Sequence, residues 1–175
     1  MSHPRILIAC VGNIFLGDDG FGTAVARGFS GRSLPPGVIL RDFGIRGLDL
    51  TYALLEPYEL VVLVDACPRG GTPGTVYLIE PDLSDVKVSG TLPSPIDAHS
   101  MNPMNVLRTA KEMGGVQGRI LIVGCEPANL ESIEEEMNGL SEPVQSAIGE
   151  AIEMIEAVVA KALNTKPAEL TMQFH

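Results

Sequence analysis

The chain has 175 residues, of which 45% are hydrophobic and 19% charged, with a mean hydropathy of +0.22. That length suits a single domain, and that composition excludes an intrinsically disordered chain. Lys plus Arg number 12 against 22 Asp plus Glu, a net charge of −10; with 5% aromatics and no Trp, nucleic acid and anionic membrane surfaces are poor partners.

Residues 6–11 (ILIACV) form a continuous apolar run that ends at Gly12-Asn13, the pattern of a strand buried on both faces. The run is too short for a signal-peptide core or a membrane span. Residues 21–29 read as a helix with Ala24, Val25 and Phe29 on its apolar face, and residues 38–40 as a short strand after Pro35-Pro36-Gly37. Residues 48–55 form a helix opened by Gly47, and residues 60–65 (LVVLVD) a second buried strand. The alternation over residues 75–79, followed by Glu80-Pro81-Asp82, predicts an antiparallel or edge strand.

The stretch 81–103 carries four prolines and several serines and reads as a long loop, a feature that inside compact domains is usually functional. A helix over 104–113 closes at Gly114-Gly115, and residues 119–124 form another buried strand. The last helix begins near Ser141-Glu142-Pro143, with Ser as N-cap and Pro in the first turn, and runs to about residue 163. Val144, Ile148, Ile152, Ile155 and Val159 keep its helical period. Strands alternating with helices predict a three-layer α/β architecture: a twisted, mainly parallel sheet of about five strands sandwiched by helices. The expected organisation is one α/β domain over residues 1–163 and a flexible tail over 164–175.

In such folds ligands bind beyond the carboxyl ends of the strands, which directs attention to the residues after Val11, Val64 and Val123 and to the long loop. The segment GNIFLGDDGFG (12–22) opens like a phosphate-binding loop, but Asp18 and Asp19 stand where Lys and Ser/Thr are required. Two acids there repel a triphosphate and suit a cation; the plainer alternative is that one of them caps the following helix. Asp65 closes a buried strand and is either a second acid at the same edge or a turn-initiating Asp. His99 is the one internal histidine, since His3 and His175 lie at the ends. Two carboxylates and one imidazole with open positions match a catalytic rather than a structural metal site.

Cys10, Cys67 and Cys125 contain no C-x-x-C pair and suit a reduced, cytoplasmic chain. The apolar neighbours of Cys10 predict an inert thiol, whereas Cys67, two residues beyond Asp65, is the one to watch. The cluster Glu131, Glu134, Glu135 and Glu136 reads as a solvated helix face.

Six segments in register carry a resemblance. They are GNIFLGDDGFG (12–22), DFGIRGLDL (42–50), VDACPRGGTPGT (64–75), DAHSMNPMNVL (97–107), VGCEP (123–127) and GLSEPV (139–144). Over roughly residues 5–163 the chain resembles the [NiFe]-hydrogenase maturation endopeptidases. Their fold, a mainly parallel sheet between helices, agrees with the reading above. The resemblance implies metal ligands at Asp19, Asp65 and His99. It also implies a partner, the hydrogenase large-subunit precursor, whose C-terminal extension is removed after nickel insertion. The nickel would be supplied by that precursor, with no organic cofactor. DFGIRG is a bulkier variant of the D-G-G-T-x-G found in many relatives, and Asp18, Gly44, Arg46 and Gly47 are expected to line the cleft that receives the extension. One rival uses the same three ligands, a non-catalytic nickel-binding chaperone; a second is a metal-dependent amidohydrolase acting on a small molecule. A third, a nucleotide-binding regulator, is opposed by the acidic pair.

Overall fold

The computed structural model describes residues 5–84, 102–128 and 139–165. His99, most of the long loop, the cluster from Glu131 to Glu136, both terminal histidines and the tail from residue 166 lie outside the described residues.

The strands are β1 (Ile6–Val11), β2 (Val38–Gly44), β3 (Leu60–Ala66), β4 (Val76–Ile79) and β5 (Arg119–Cys125). They form a five-stranded sheet in the order β2-β1-β3-β5-β4. β1 pairs in parallel with β2 and β3, and β3 with β5, while β4 runs antiparallel along the outer side of β5. The predicted edge position and direction of β4 are both observed. The helices among the described residues are α1 (Phe21–Gly28), α2 (Gly47–Ala53), α3 (Pro103–Glu112) and α4 (Glu142–Asn164).

Every residue of β1 is buried, because helices cover both faces of the sheet. Alternation along the strand sends Ile6, Ile8 and Cys10 into one core, with Phe21 and Val25 of α1 and Ala151, Ile152 and Ile155 of α4. Leu7, Ala9 and Val11 enter the other, with Leu50 of α2 and Leu107 and Ala110 of α3. The result is the three-layer arrangement expected from the alternating elements. No helix of the described residues is long and apolar enough to cross a membrane.

Element bounds agree with expectation to within about two residues, with one exception. β2 extends through Arg41, Asp42 and Phe43 to Gly44 rather than ending at Leu40. It is an edge strand with one exposed flank, so charged residues are tolerated along it and hid it from a search for apolar runs. Arg41 lies over the Phe43 ring at 4.7 Å, covering the buried aromatic with its own side chain. The β1–β2 register slips between Cys10 and Val11, so that Cys10 faces Asp42 but Val11 faces Gly44.

α1 sits unusually tight against the strand ends. A Cβ on Gly22 would stand 2.0 Å from the carbonyl oxygen of Val11 and 2.5 Å from that of Val64. Glycine at this position lets the helix start directly on the carboxyl ends of β1 and β3, which fixes the ground on which the polar residues are displayed.

Candidate active site at the carboxyl edge of the sheet

β1 is followed by a loop and a single 3-10 turn, Gly17–Gly20, before α1 begins. The turn folds back over the strand end because residue 12 is glycine: its φ is +149°, and a Cβ there would stand 2.0 Å from the carbonyl oxygen of Asp19. This fold-back delivers Asp18 and Asp19 to the carboxyl edge facing β3, where Asp65 occupies the penultimate position.

The two acids of the turn have opposite fates. Asp18 is 1% exposed, and its carboxylate accepts from the Ala128 N–H (2.8 Å), the Ser141 N–H (2.7 Å) and the Ser141 hydroxyl (2.9 Å). It neither caps α1, whose N-cap is Gly20, nor lines a cleft. The expectation of a cleft residue fails because donors from the β5–α4 connection enclose it. Ser141 does stand at the N-cap position of α4, but its hydroxyl serves Asp18 rather than its own helix.

Asp19 remains partly exposed. Its Oδ2 accepts from the Asn13 N–H (2.9 Å), and its Oδ1 meets no donor among the described residues. Asp65 likewise uses Oδ1 for the N–H of Ala66 (2.8 Å), leaving Oδ2 without a donor among the described residues. Neither carboxylate forms a salt bridge within that set. Burial lifts the Asp19 carboxyl above the usual carboxylate range, partly offset by the Asn13 N–H. Asp65 is pushed well above that range, first by burial and second by the charge of Asp19, with the Ala66 N–H opposing. Two carboxylates lifted by burial, one of them also by its neighbour's charge, and lacking a basic partner among the described residues form a site that a cation would relieve. No group of three metal-ligating side chains occurs among the described residues, and His99, the third expected ligand, lies outside them.

The other sequence-selected residues form the β2–α2 turn. The N–H of Gly44 binds the carboxylate of Asp42 (3.0 Å), which also accepts from the Thr23 hydroxyl of α1 (3.1 Å). The carbonyl of Gly44 accepts from the Gly12 N–H at 2.9 Å, joining this turn to the one that carries Asp19. Arg46 is exposed and curls back on the carbonyls of Asp42 (2.6 Å) and Phe43 (3.2 Å). Gly47 opens α2 directly after it.

Burial holds all three thiols protonated. The Cys67 thiol is pushed up to about 11 by burial and then by Asp65 and Glu126, against the pull of Arg69. Cys125 is likewise raised to about 11, and Cys10 further still, by burial above all. The position of Cys67 next to Asp65 therefore suppresses its reactivity rather than activating it.

Sequence reasoning missed Glu126. It follows β5 as Asp65 closes β3, so the rule that drew attention to Asp65, a polar residue at the end of a buried strand, would have found it. Glu126 is 5% exposed and accepts from the N–H groups of Arg69 (2.9 Å) and Gly70 (3.2 Å) and from the Tyr77 hydroxyl (2.8 Å). Burial alone would raise its pKa, but the Arg69, Gly71 and Gly70 N–H groups and the Tyr77 hydroxyl outweigh it and hold the carboxyl below its ordinary value.

Residues 24–158 match the family model described as HycI, hydrogenase maturation protease. The chain belongs to the hydrogenase maturation protease family. The matched span includes Asp65, His99 and Glu126 and begins beyond Asp19. Within this family, the chain is 34% identical over 152 residues to the hydrogenase expression/formation protein HupD of Rhizobium leguminosarum bv. viciae, covering 86% of this chain and 71% of that one. It is 27% identical over 159 residues to the hydrogenase 2 maturation protease of Escherichia coli, covering 90% and 92%. The solved structure of the hydrogenase maturating endopeptidase HybD from E. coli superposes with a TM-score of 0.71 at 25% identity, over 90% of this chain and 93% of that one.

Proposed function

We propose that this protease cuts the C-terminal extension from a nickel-loaded [NiFe]-hydrogenase large-subunit precursor in the cytoplasm, and that Asp19, Asp65 and His99 bind the nickel carried by that substrate. The observation that carries the reading is the pair Asp19 and Asp65. They stand at one sheet edge with elevated pKa values, each with one carboxylate oxygen that has no donor among the described residues. Membership of a maturation protease family supports hydrolysis of a peptide bond in such a partner. Three free cysteines suit a reducing compartment.

In this reading the substrate's nickel would polarise the scissile carbonyl or acidify a bound water. The protein's own residues then have two tasks. Asp19 and Asp65 fix the substrate relative to the sheet edge, and the shared burial keeps their charge unsatisfied until the cation arrives. Thiol chemistry is disfavoured, because a Cys67 held near 11 leaves only a minute thiolate fraction at neutral pH. No organic cofactor is required.

The test is incubation of the protein with nickel-loaded precursor, followed by mass determination of the products. A single cut near the C-terminus of the precursor is expected. A complex that forms without any change in precursor mass would overturn the protease reading in favour of a nickel-binding chaperone.

A further inference from the structure

We propose that Asp18 and Glu126 form a brace that sets the spacing of Asp19 and Asp65, making both positioning residues for the cleavage. The inference rests on the reading that Asp19 and Asp65 hold the substrate's metal. It concerns two acids that do not reach the substrate themselves, being 1% and 5% exposed.

The brace has a continuous path. Asp65 lies opposite Gly124 in the β3–β5 register, and the chain that leaves β3 turns around Glu126. Successive N–H groups of Arg69 and Gly70 point at the Glu126 carboxylate, an anion-binding concavity filled by a side chain of the same protein. Main-chain bonds reinforce the turn: the Glu126 N–H donates to Thr75 and the Gly74 N–H donates to Glu126, both at 2.8 Å. Two residues further on, the Ala128 N–H reaches across to Asp18, which is held in addition by both donors of Ser141. Asp18 is bonded covalently to Asp19. The three residues from Glu126 to Ala128 are thus a strut, with the turn after Asp65 clamped at one end and the turn carrying Asp19 clamped at the other.

The residue types follow from the donors. Each carboxylate is met by at least three hydrogen-bond donors, so an acceptor-only group is required at both ends of the strut. An amide in either place would turn its NH2 toward a backbone N–H, losing bonds and pushing the two turns apart. A shift of about 1 Å between groups that must grip one substrate costs on the order of 100-fold in rate.

Steady-state cleavage of nickel-loaded precursor by four full-length variants tests the brace, each assayed well below its melting temperature. Glu126→Gln and Asp18→Asn should lower kcat by about 100-fold with KM changed by less than about threefold. Tyr77→Phe and Ser141→Ala each remove one hydroxyl contact and should lower kcat by about three- to tenfold, again at nearly constant KM. Should the first two fail to fold, the milder pair decides. Folded variants with kcat within about twofold of the parent, or with the loss confined to KM, would overturn the proposal. Asp19→Asn and Asp65→Asn run in parallel separate the two readings. If those two cleave normally, the metal-holding reading fails; if they are dead while the brace variants keep full kcat, the brace alone fails.

Discussion

The two ends of the sheet treat their carboxylates differently. At the amino end, Glu56 pairs with Arg5 at 2.6 Å and Glu80 with Arg119 at 2.5 Å, while Glu59 keeps one buried carboxylate oxygen without a partner among the described residues. At the carboxyl end, Asp18, Asp42 and Glu126 are satisfied by N–H and O–H donors, while Asp19 and Asp65 each keep an oxygen without a donor among the described residues. The exposed Glu56–Arg5 pair contributes little and costs little. Unmatched charges in a half-buried cleft destabilise the free protein, and such an arrangement persists where a ligand uses it. The contrast is the reason the proposed site is placed at the carboxyl end of the sheet.

The sharpest way to break this contrast is Asp65→Asn. Cleavage should fall by more than about 1,000-fold, because a ligand and a positioning group are lost together. The same change should raise the melting temperature at pH 7. A carboxyl whose pKa is higher in the folded than in the unfolded protein contributes stability that is complete below the unfolded value. That stability is lost as pH rises through the folded one. The penalty relieved by Asn is therefore present at pH 7 and fades as pH falls toward the ordinary Asp value of 3.8. The thermal shift should be on the order of 2–4 °C per kcal/mol relieved, read by calorimetry at several pH values. A variant that is dead and also less stable at pH 7 would show Asp65 to be structural.

Gly22→Ala addresses the ground beneath the site. Its Cβ would meet two backbone carbonyls that cannot move without separating α1 from β1 and β3. A loss of about 3 kcal/mol or more is expected in denaturant unfolding, at the upper end of overpacking costs. At the opposite end of the sheet, Glu56→Gln removes one member of an ion pair whose side chains are 45% and 54% exposed. The change should stay under about 1 kcal/mol and vanish in high salt. Smallest of all, Cys67→Ala should leave cleavage unchanged within about twofold, since a thiol raised to about 11 takes no part at neutral pH. Loss of activity in that variant would bring the thiol back into the chemistry.

How much of this was legible in the sequence depended on whether a residue's role shows in its immediate neighbours. The buried strands announced themselves because both faces are covered, so ILIACV and LVVLV have no polar interruption. Asp19 and Asp65 were visible because they follow such strands. β2 was read too short because an edge position permits Arg41 and Asp42 within a strand. Local pattern offers Ser141 as a helix cap and Asp18 as a cleft residue or a cap. Their actual partnership spans 123 positions of sequence, which no local pattern reveals. Glu126 is visible by its place after β5, but its role is not, because the nest that holds it lies 56 and 57 residues upstream.

The account's central claim is that the unsatisfied acids of the carboxyl edge recognise a metal brought by the substrate. The most direct measurement treats the enzyme with chelator, removes the chelator, and compares cleavage of nickel-loaded and nickel-free precursor by mass spectrometry. A site with two carboxylates, one imidazole and no thiolate should hold nickel weakly by itself, so the stripped enzyme should still cut the loaded precursor. It should leave the nickel-free precursor intact. Equal cutting of both forms would contradict the claim and place recognition in the peptide alone.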